Sequence, residues 1–171
     1  MGQEPINSLA DAAVAVYRQA ATWLPQTVKD LTDEELLTRS SEGRSHLYWI
    51  AGHMTHSADI ANLMNGSKSV IPDSYDGMFG MGTEPAATAG VYPKIGEIFD
   101  VFQKAVDNSI AAMKTVSDAD YNKPSDAALP EFMARMSRFE LVCGFATHIG
   151  YHIGQMVTIL RKLDKKPWPD M

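Results

Sequence analysis

The 171-residue sequence contains a single cysteine, Cys143. One thiol excludes an internal disulfide framework and a cysteine-rich zinc knuckle. No apolar run reaches the roughly 18 residues that a membrane span requires. Basic residues are outnumbered: 15 Lys and Arg stand against 21 Asp and Glu, a formal charge of −6 with a pI near 5.3. A chain of that balance, with no long basic run, does not hold nucleic acid or an anionic lipid surface by counterion release. Residues 1–5 offer neither the basic segment nor the apolar core of a signal peptide. Alternating strand patterns, internal repeats and low-complexity tracts are missing. So are G-x-G-x-x-G, the P-loop, G-x-S-x-G and H-E-x-x-H. The paired Glu-x-x-His motifs of di-iron bundles do not occur either, which removes a ferritin-like reading. These absences leave a single cytoplasmic domain, residues 1–171, with no nucleic-acid or membrane partner as the expectation.

Four segments carry a helical period. The first covers residues 8–30, with Ser8 as cap and Asp11 in the first turn. Its apolar side is read as Leu9, Ala13, Val16, Ala20, Trp23, Leu24 and Thr27, and Pro25 predicts a kink or an early end. Thr32 and Glu35 form a capping box for a further short turn. The second long segment spans residues 45–64 and is closed by Asn65-Gly66. Residues 66–92 make a long connection rich in Gly, Pro, Ser and Met, with Tyr75, Phe79 and Tyr92 interspersed. Connections of that length are uncommon unless they cross a bundle, cover a site or lack order.

The third segment, residues 93–116, carries Ile95, Phe99, Phe102, Val106, Ile110 and Met113 on one side. The fourth opens on the capping box of Ser137 and Glu140, runs to Leu163 and is ended by Lys165-Lys166-Pro167-Trp168-Pro169. The implied fold class is all-α, a four-helix bundle with a long connection between its second and third helices.

Spacing converts to direction at about 100° per residue. Seen from His152, the fourth segment brings His148, Leu141, Phe145, Met156, Ile159 and Leu163 within about 40°. Both imidazoles therefore lie in the apolar stripe, where a polar group needs a partner. On the second segment Trp49, Ile60 and Met64 share the direction of His53, so that imidazole also points inward. His56 falls to the flank, and His46 lies two turns away, too far to share an ion with His53. An H-x-x-x-H pair facing a third histidine offers three nitrogens to one divalent ion and leaves a position for water or substrate. The same placement serves equally for core histidines bonded to backbone or water.

Other residues have narrower roles. His56 is either a fourth ligand, a base near the ion or a flanking polar residue, and Gln155 either bonds a ligand-bound water or sits at a helix interface. Cys143 and Arg161 lie on the opposite side of their helix from His152. Met64, Met113 and Met156 read as core filler rather than soft-metal ligands. Met78 and Met81, with Tyr75 and Phe79, either form a lid or pack down as an ordinary loop.

Two stretches carry a resemblance. Trp49-Ile50-Ala51-Gly52-His53, with the Asn-Gly that follows its helix, and His148-Ile149-Gly150-Tyr151-His152-Ile153-Gly154-Gln155, continuing into Ile159-Leu160-Arg161, resemble the DinB/YfiT-like family of metal-dependent proteins. The likeness spans essentially the whole chain, and the fourth-helix stretch is its specific part. It implies a four-helix bundle of variant topology, often a homodimer, with His53, His148 and His152 as the metal ligands. The usual ions of the family are zinc and nickel. Some members transfer or isomerise adducts of low-molecular-weight thiols, and most have no established reaction. The expectation for this chain is thus a metal-dependent enzyme with thiol S-transferase-like chemistry on a small electrophile. The alternatives are a metal-hydroxide hydrolase and a non-catalytic dimeric metal-binding or structural protein.

Overall fold

The computed structural model describes residues 5–28, 30–127 and 129–167. Residues 1–4, on which most of the signal-peptide reading falls, and residues 168 and 169 of the expected terminator lie outside that range. Helix α1 covers Leu9–Ala21, capped as its sequence implies: Ser8 Oγ accepts the Asp11 N–H at 3.1 Å. The predicted first helix does not run on to residue 30. It breaks at Thr22, and a separate short helix α2 covers Trp23–Thr27. Pro25 explains the break, because inside one continuous helix it would lack the bond to Ala21 and clash with that carbonyl. In the first turn of a new helix the missing N–H costs nothing, since that donor has no intrahelical partner.

The buried face of α1 also differs from the expected one. It consists of Ala10, Ala13, Val14, Tyr17 and Ala21, while Val16 is 43% exposed. Tyr17, fully buried, turns the stripe towards itself because it is the largest side chain available to fill the centre.

Helix α3 (Asp33–Leu36) has the Thr32–Glu35 capping box in place. Helix α4 (Leu47–Met64) starts from His46 as its cap and ends where Gly66, at φ +84°, turns the chain. There Ser67 N–H donates to Asn62 O and Gly66 N–H to Leu63 O, each at 3.0 Å, the paired bonds of a Schellman ending. Helix α5 (Ser74–Phe79) and a 3₁₀ turn (Ala89–Val91) lie within the long connection. Helix α6 covers Ile95–Met113, α7 covers Asp118–Tyr121, and α8 covers Arg138–Lys162 behind the expected Ser137–Glu140 capping box. The inward side of α6 is Ile98, Phe102, Ala105, Val106, Ser109 and Met113, so Phe99 and Ile110 sit at its margin. No β-strand occurs among the described residues.

The four long helices form a ring in the order α1, α8, α4, α6. Consecutive helices α1 and α4 therefore stand across a diagonal, as do α6 and α8. Each diagonal step needs a connection long enough to cross the end of the bundle, which residues 22–46 and 114–137 supply. Adjacency of α4 and α8 is what matters for the histidines, because it sets His53 opposite His148 and His152.

Helix α4 is buried on nearly every side, polar residues included. Asp59 Oδ1 accepts from Asn62 Nδ2 at 2.9 Å and from Val70 N–H at 2.8 Å, and Ser109 of α6 donates to Asn62 Oδ1 at 2.7 Å. The network ties α6 and the start of the long connection to α4. Replacing Asp59 with Ala strands the buried Asn62 amide and the half-buried Val70 N–H, and we expect a loss of about 2–4 kcal/mol, read from the urea midpoint of unfolding at unchanged slope.

Candidate metal centre

Each inward histidine is held from behind by a different part of the chain. His53 Nδ1–H donates to the carbonyl of Phe79 at 2.7 Å, which leaves Nε2 with the lone pair. Trp49, one turn earlier, stacks on the His53 ring at 4.7 Å with 9° between planes, and its indole N–H donates to Thr83 Oγ1 at 3.0 Å. Across the interface His152 Nδ1–H donates to Gln155 Oε1 at 2.8 Å. The Gln155 amide is oriented in turn by donating to Tyr151 Oη at 2.8 Å. His152 Nε2 is thereby also left as an acceptor, 3.0 Å from His148 Nε2.

The three rings stand roughly edge to face, with centroids 4.4–5.2 Å apart. One nitrogen from each lies within 4.8 Å of the others. A tetrahedral ion with bonds of 2.0–2.1 Å spaces its ligands about 3.3 Å apart, so the cluster has the scale of a single ion. The donor set fits as well. Two of the three inward nitrogens are fixed as lone-pair donors by hydrogen bonds behind them, the usual device for aiming a metal-ligating histidine. The third, His148 Nε2, lies 3.0 Å from His152 Nε2, close to the spacing of two ligands of one ion.

Burial also sets the charge state. It pushes His148 down to about 4, with His53 adding to the effect, and His152 down to about 3, with His148 and then His53 adding. His53 is lowered by burial too, against the opposing pull of the Phe79 carbonyl. All three are neutral at pH 7, the form a metal needs. In metal-free protein the unfolded chain takes up protons near pH 6.5 that the folded chain refuses at His148 until about pH 4 and at His152 until about pH 3, with His53 shifted in the same direction. Stability is therefore complete above pH 6.5 and falls as the pH drops towards 4, with a slope of up to about 1.4 kcal/mol per pH unit for each imidazole. Urea unfolding of chelator-treated protein at pH 7.5, 6 and 5 measures this. The part assigned to His148 and His152 should vanish in the His148→Ala/His152→Ala variant, leaving only what His53 contributes.

A cavity of about 440 Å³ opens beside the cluster, lined by His53 and His148 together with His56 and Ser57. His56 does not join the three: its Nε2–H donates to Asp76 Oδ1 at 2.7 Å. His46, as expected, is remote from the cluster; its Nδ1 accepts the Trp49 N–H at 3.1 Å and its Nε2–H donates to Ala86 O at 2.9 Å. Gln155 acts on His152 directly. Cys143 is a free, partly buried thiol outside the cluster. Met64, Met113 and Met156 are fully buried core.

In the long connection Tyr75 and Phe79 are packed down as core, whereas Met81 is 74% exposed at the cavity mouth. Sequence reasoning missed three contributors: the Phe79 carbonyl, the Trp49 ring and Gly52, whose bare Cα receives the Phe79 ring. A glycine inside a helix immediately before an inward histidine was the available signal.

Fold and site together define a class: a four-helix bundle whose adjacent second and fourth long helices present three convergent imidazoles. The chain belongs to the DinB superfamily, whose profile matches residues 17–156. Among solved structures it resembles YfiT from Bacillus subtilis, with 16% identity over 95% of this chain and 94% of that one and a TM-score of 0.68. That protein is described as a probable metal-dependent hydrolase with an unusual four-helix bundle topology. A DinB-like protein from Bacillus cereus matches at 19% identity over 91% of each chain, with a TM-score of 0.59. Comparison with curated proteins finds no match. No helix among the described residues is long and apolar enough to cross a membrane.

Proposed function

We propose that this protein is a metal-dependent enzyme in which His53, His148 and His152 hold one divalent ion, zinc or nickel, for hydrolysis of a small electrophile. The observation that carries this reading is the convergence of three neutral imidazoles, two of them aimed by hydrogen bonds from behind, with His53 and His148 lining an adjoining cavity. The description of YfiT as a probable metal-dependent hydrolase supports it. A divalent ion on three neutral ligands keeps its full charge, which lowers the pKa of a bound water or thiol towards neutrality.

The chain's own residues do the rest. Phe79 and Gln155 hold the imidazoles in register, and Trp49 keeps the His53 ring from rotating. His56 lines the cavity but is not placed as a base: Asp76 takes its Nε2–H, and its Nδ1 is buried without a partner. Water is favoured over a charged low-molecular-weight thiol, because no lysine or arginine among the described residues lines the cavity to receive the thiol's carboxylates.

The test is product analysis with zinc- or nickel-loaded protein, offered uncharged esters, amides and epoxides in ¹⁸O-labelled water, with and without small thiols. Label in the product, dependent on the ion, is the expected result. A thioether or thioester instead would transfer the function to S-transfer. An ion held stoichiometrically without turnover of any of them would make the centre structural.

A further inference from the structure

The cavity is one-sided in its chemistry. Its polar side chains are His53, His56, Ser57 and His148, while Ile60, Met136, Leu141, Phe145, Met81 and Phe132 supply apolar lining. No Asp, Glu, Lys or Arg among the described residues lines it. A carboxylate, phosphate or ammonium carried into that space would lose its hydration with no partner to replace it. Methionine thioethers make part of the lining adaptable in shape. Of these, Met81 and Phe132 are 74% and 71% exposed, apolar surface that a bound apolar group would cover.

Gly144 adds the decisive detail. It lies on α8 one turn before His148, borders the cavity, and a Cβ built on it meets no atom within 4 Å. On the same face of α8 as His148, the missing side chain leaves that part of the cavity open. The volume lies within the range of small-molecule sites.

We propose that this cavity binds the uncharged apolar arm, aliphatic or aryl, of a molecule whose polar head reaches the three histidines. The head depends on the metal-dependent reading above, whereas the arm depends on the cavity alone.

The test uses two probes. The first is a series of straight-chain alkyl hydroxamates, from acetohydroxamate upwards, titrated calorimetrically onto zinc-loaded protein. Affinity should rise about fourfold per added CH₂ until the cavity is filled. A chain of equal length ending in a carboxylate should bind at least about tenfold more weakly. In Gly144→Leu the chain-length dependence should disappear, while zinc and acetohydroxamate still bind. The second probe is the uncharged fluorophore N-phenyl-1-naphthylamine on metal-free protein, expected to bind and to be excluded by Gly144→Leu.

A flat hydroxamate series on zinc-loaded wild type, or a preference for the carboxylate-ended chain, overturns the inference and leaves the metal reading standing. Failure to bind zinc, with the fluorophore bound and displaced by octanamide, overturns the metal reading and supports the cavity assignment. If the fluorophore enters only when a dimer is diluted apart, the cavity belongs to a second copy and the inference fails. The wild-type series decides the matter even if Gly144→Leu does not fold.

Discussion

Purified with its tag removed and exposed to zinc or nickel, the wild-type chain should carry about one ion per molecule, and the His148→Ala/His152→Ala variant should carry none. The expected loss of affinity is at least about a thousandfold, because the variant keeps one imidazole of the three and a single ligand competes poorly with water. Both substitutions are on α8, where each removed ring leaves its neighbours Leu141, Phe145 and Met156 in place. The bundle should survive, and in metal-free protein it should gain acid tolerance, since two groups that resist protonation are gone. Two milder variants calibrate the result. His46→Ala should keep about one ion per molecule and cost about 2–4 kcal/mol, since it removes both the cap of α4 and a buried ring bonded to Ala86 O. Gln155→Ala should keep the ion but weaken it about 10- to 100-fold, as loss of a partner behind a ligand does. Elemental analysis and a competitive chelator titration read all of these. Full occupancy in the double variant would remove the histidine cluster as the metal site.

The direction of each histidine was legible because helical spacing is a local property. His148 and His152 one turn apart, and His53 in line with Trp49 and Met64, needed only the 100° step to be placed inward. Caps were legible for the same reason, and the boxes at Thr32 and Ser137 form as their spacing implies. The phase of α1 was not. Its small alanines leave several faces nearly equivalent, and the choice falls to the one aromatic residue that the centre can hold, Tyr17. Ring order was hidden too, since no local pattern says that α1 and α4 stand diagonally. The connection at residues 66–92 was the least legible part. Its shape is set by distant partners: Trp49 to Thr83, His46 to Ala86, and Tyr92 stacked between Tyr48 and Phe79. Those contacts make it a brace for the N-terminal half of α4 rather than a lid. Its bearing on the candidate metal centre runs through one backbone atom, the Phe79 carbonyl that holds His53.

That brace should fail in a single-methyl variant, Gly52→Ala. A Cβ at position 52 would overlap Cγ, Cδ1 and Cε1 of the Phe79 ring. The ring cannot swing away freely, because Phe79 is fully buried, edge-on to Tyr75 at 5.1 Å and stacked on Tyr92 at 5.4 Å. Relief therefore requires α5 to retreat from α4, which carries the Phe79 carbonyl away from His53 Nδ1. Overpacking of this kind costs about 1–3 kcal/mol, and the better helix propensity of alanine, up to about 1 kcal/mol, offsets only part of it. Two readouts should move together: a lower urea midpoint, and metal affinity weakened about 10- to 100-fold as His53 loses its orienting acceptor. Gly150→Ala and Gly154→Ala are the controls, since a Cβ at either site meets no atom within 4 Å; both should be neutral or stabilising. A Gly52→Ala protein that is destabilised but binds metal as wild type would show that the ion itself, not the Phe79 carbonyl, orients His53. One unchanged in both respects would mean that α5 does not press on α4 at all.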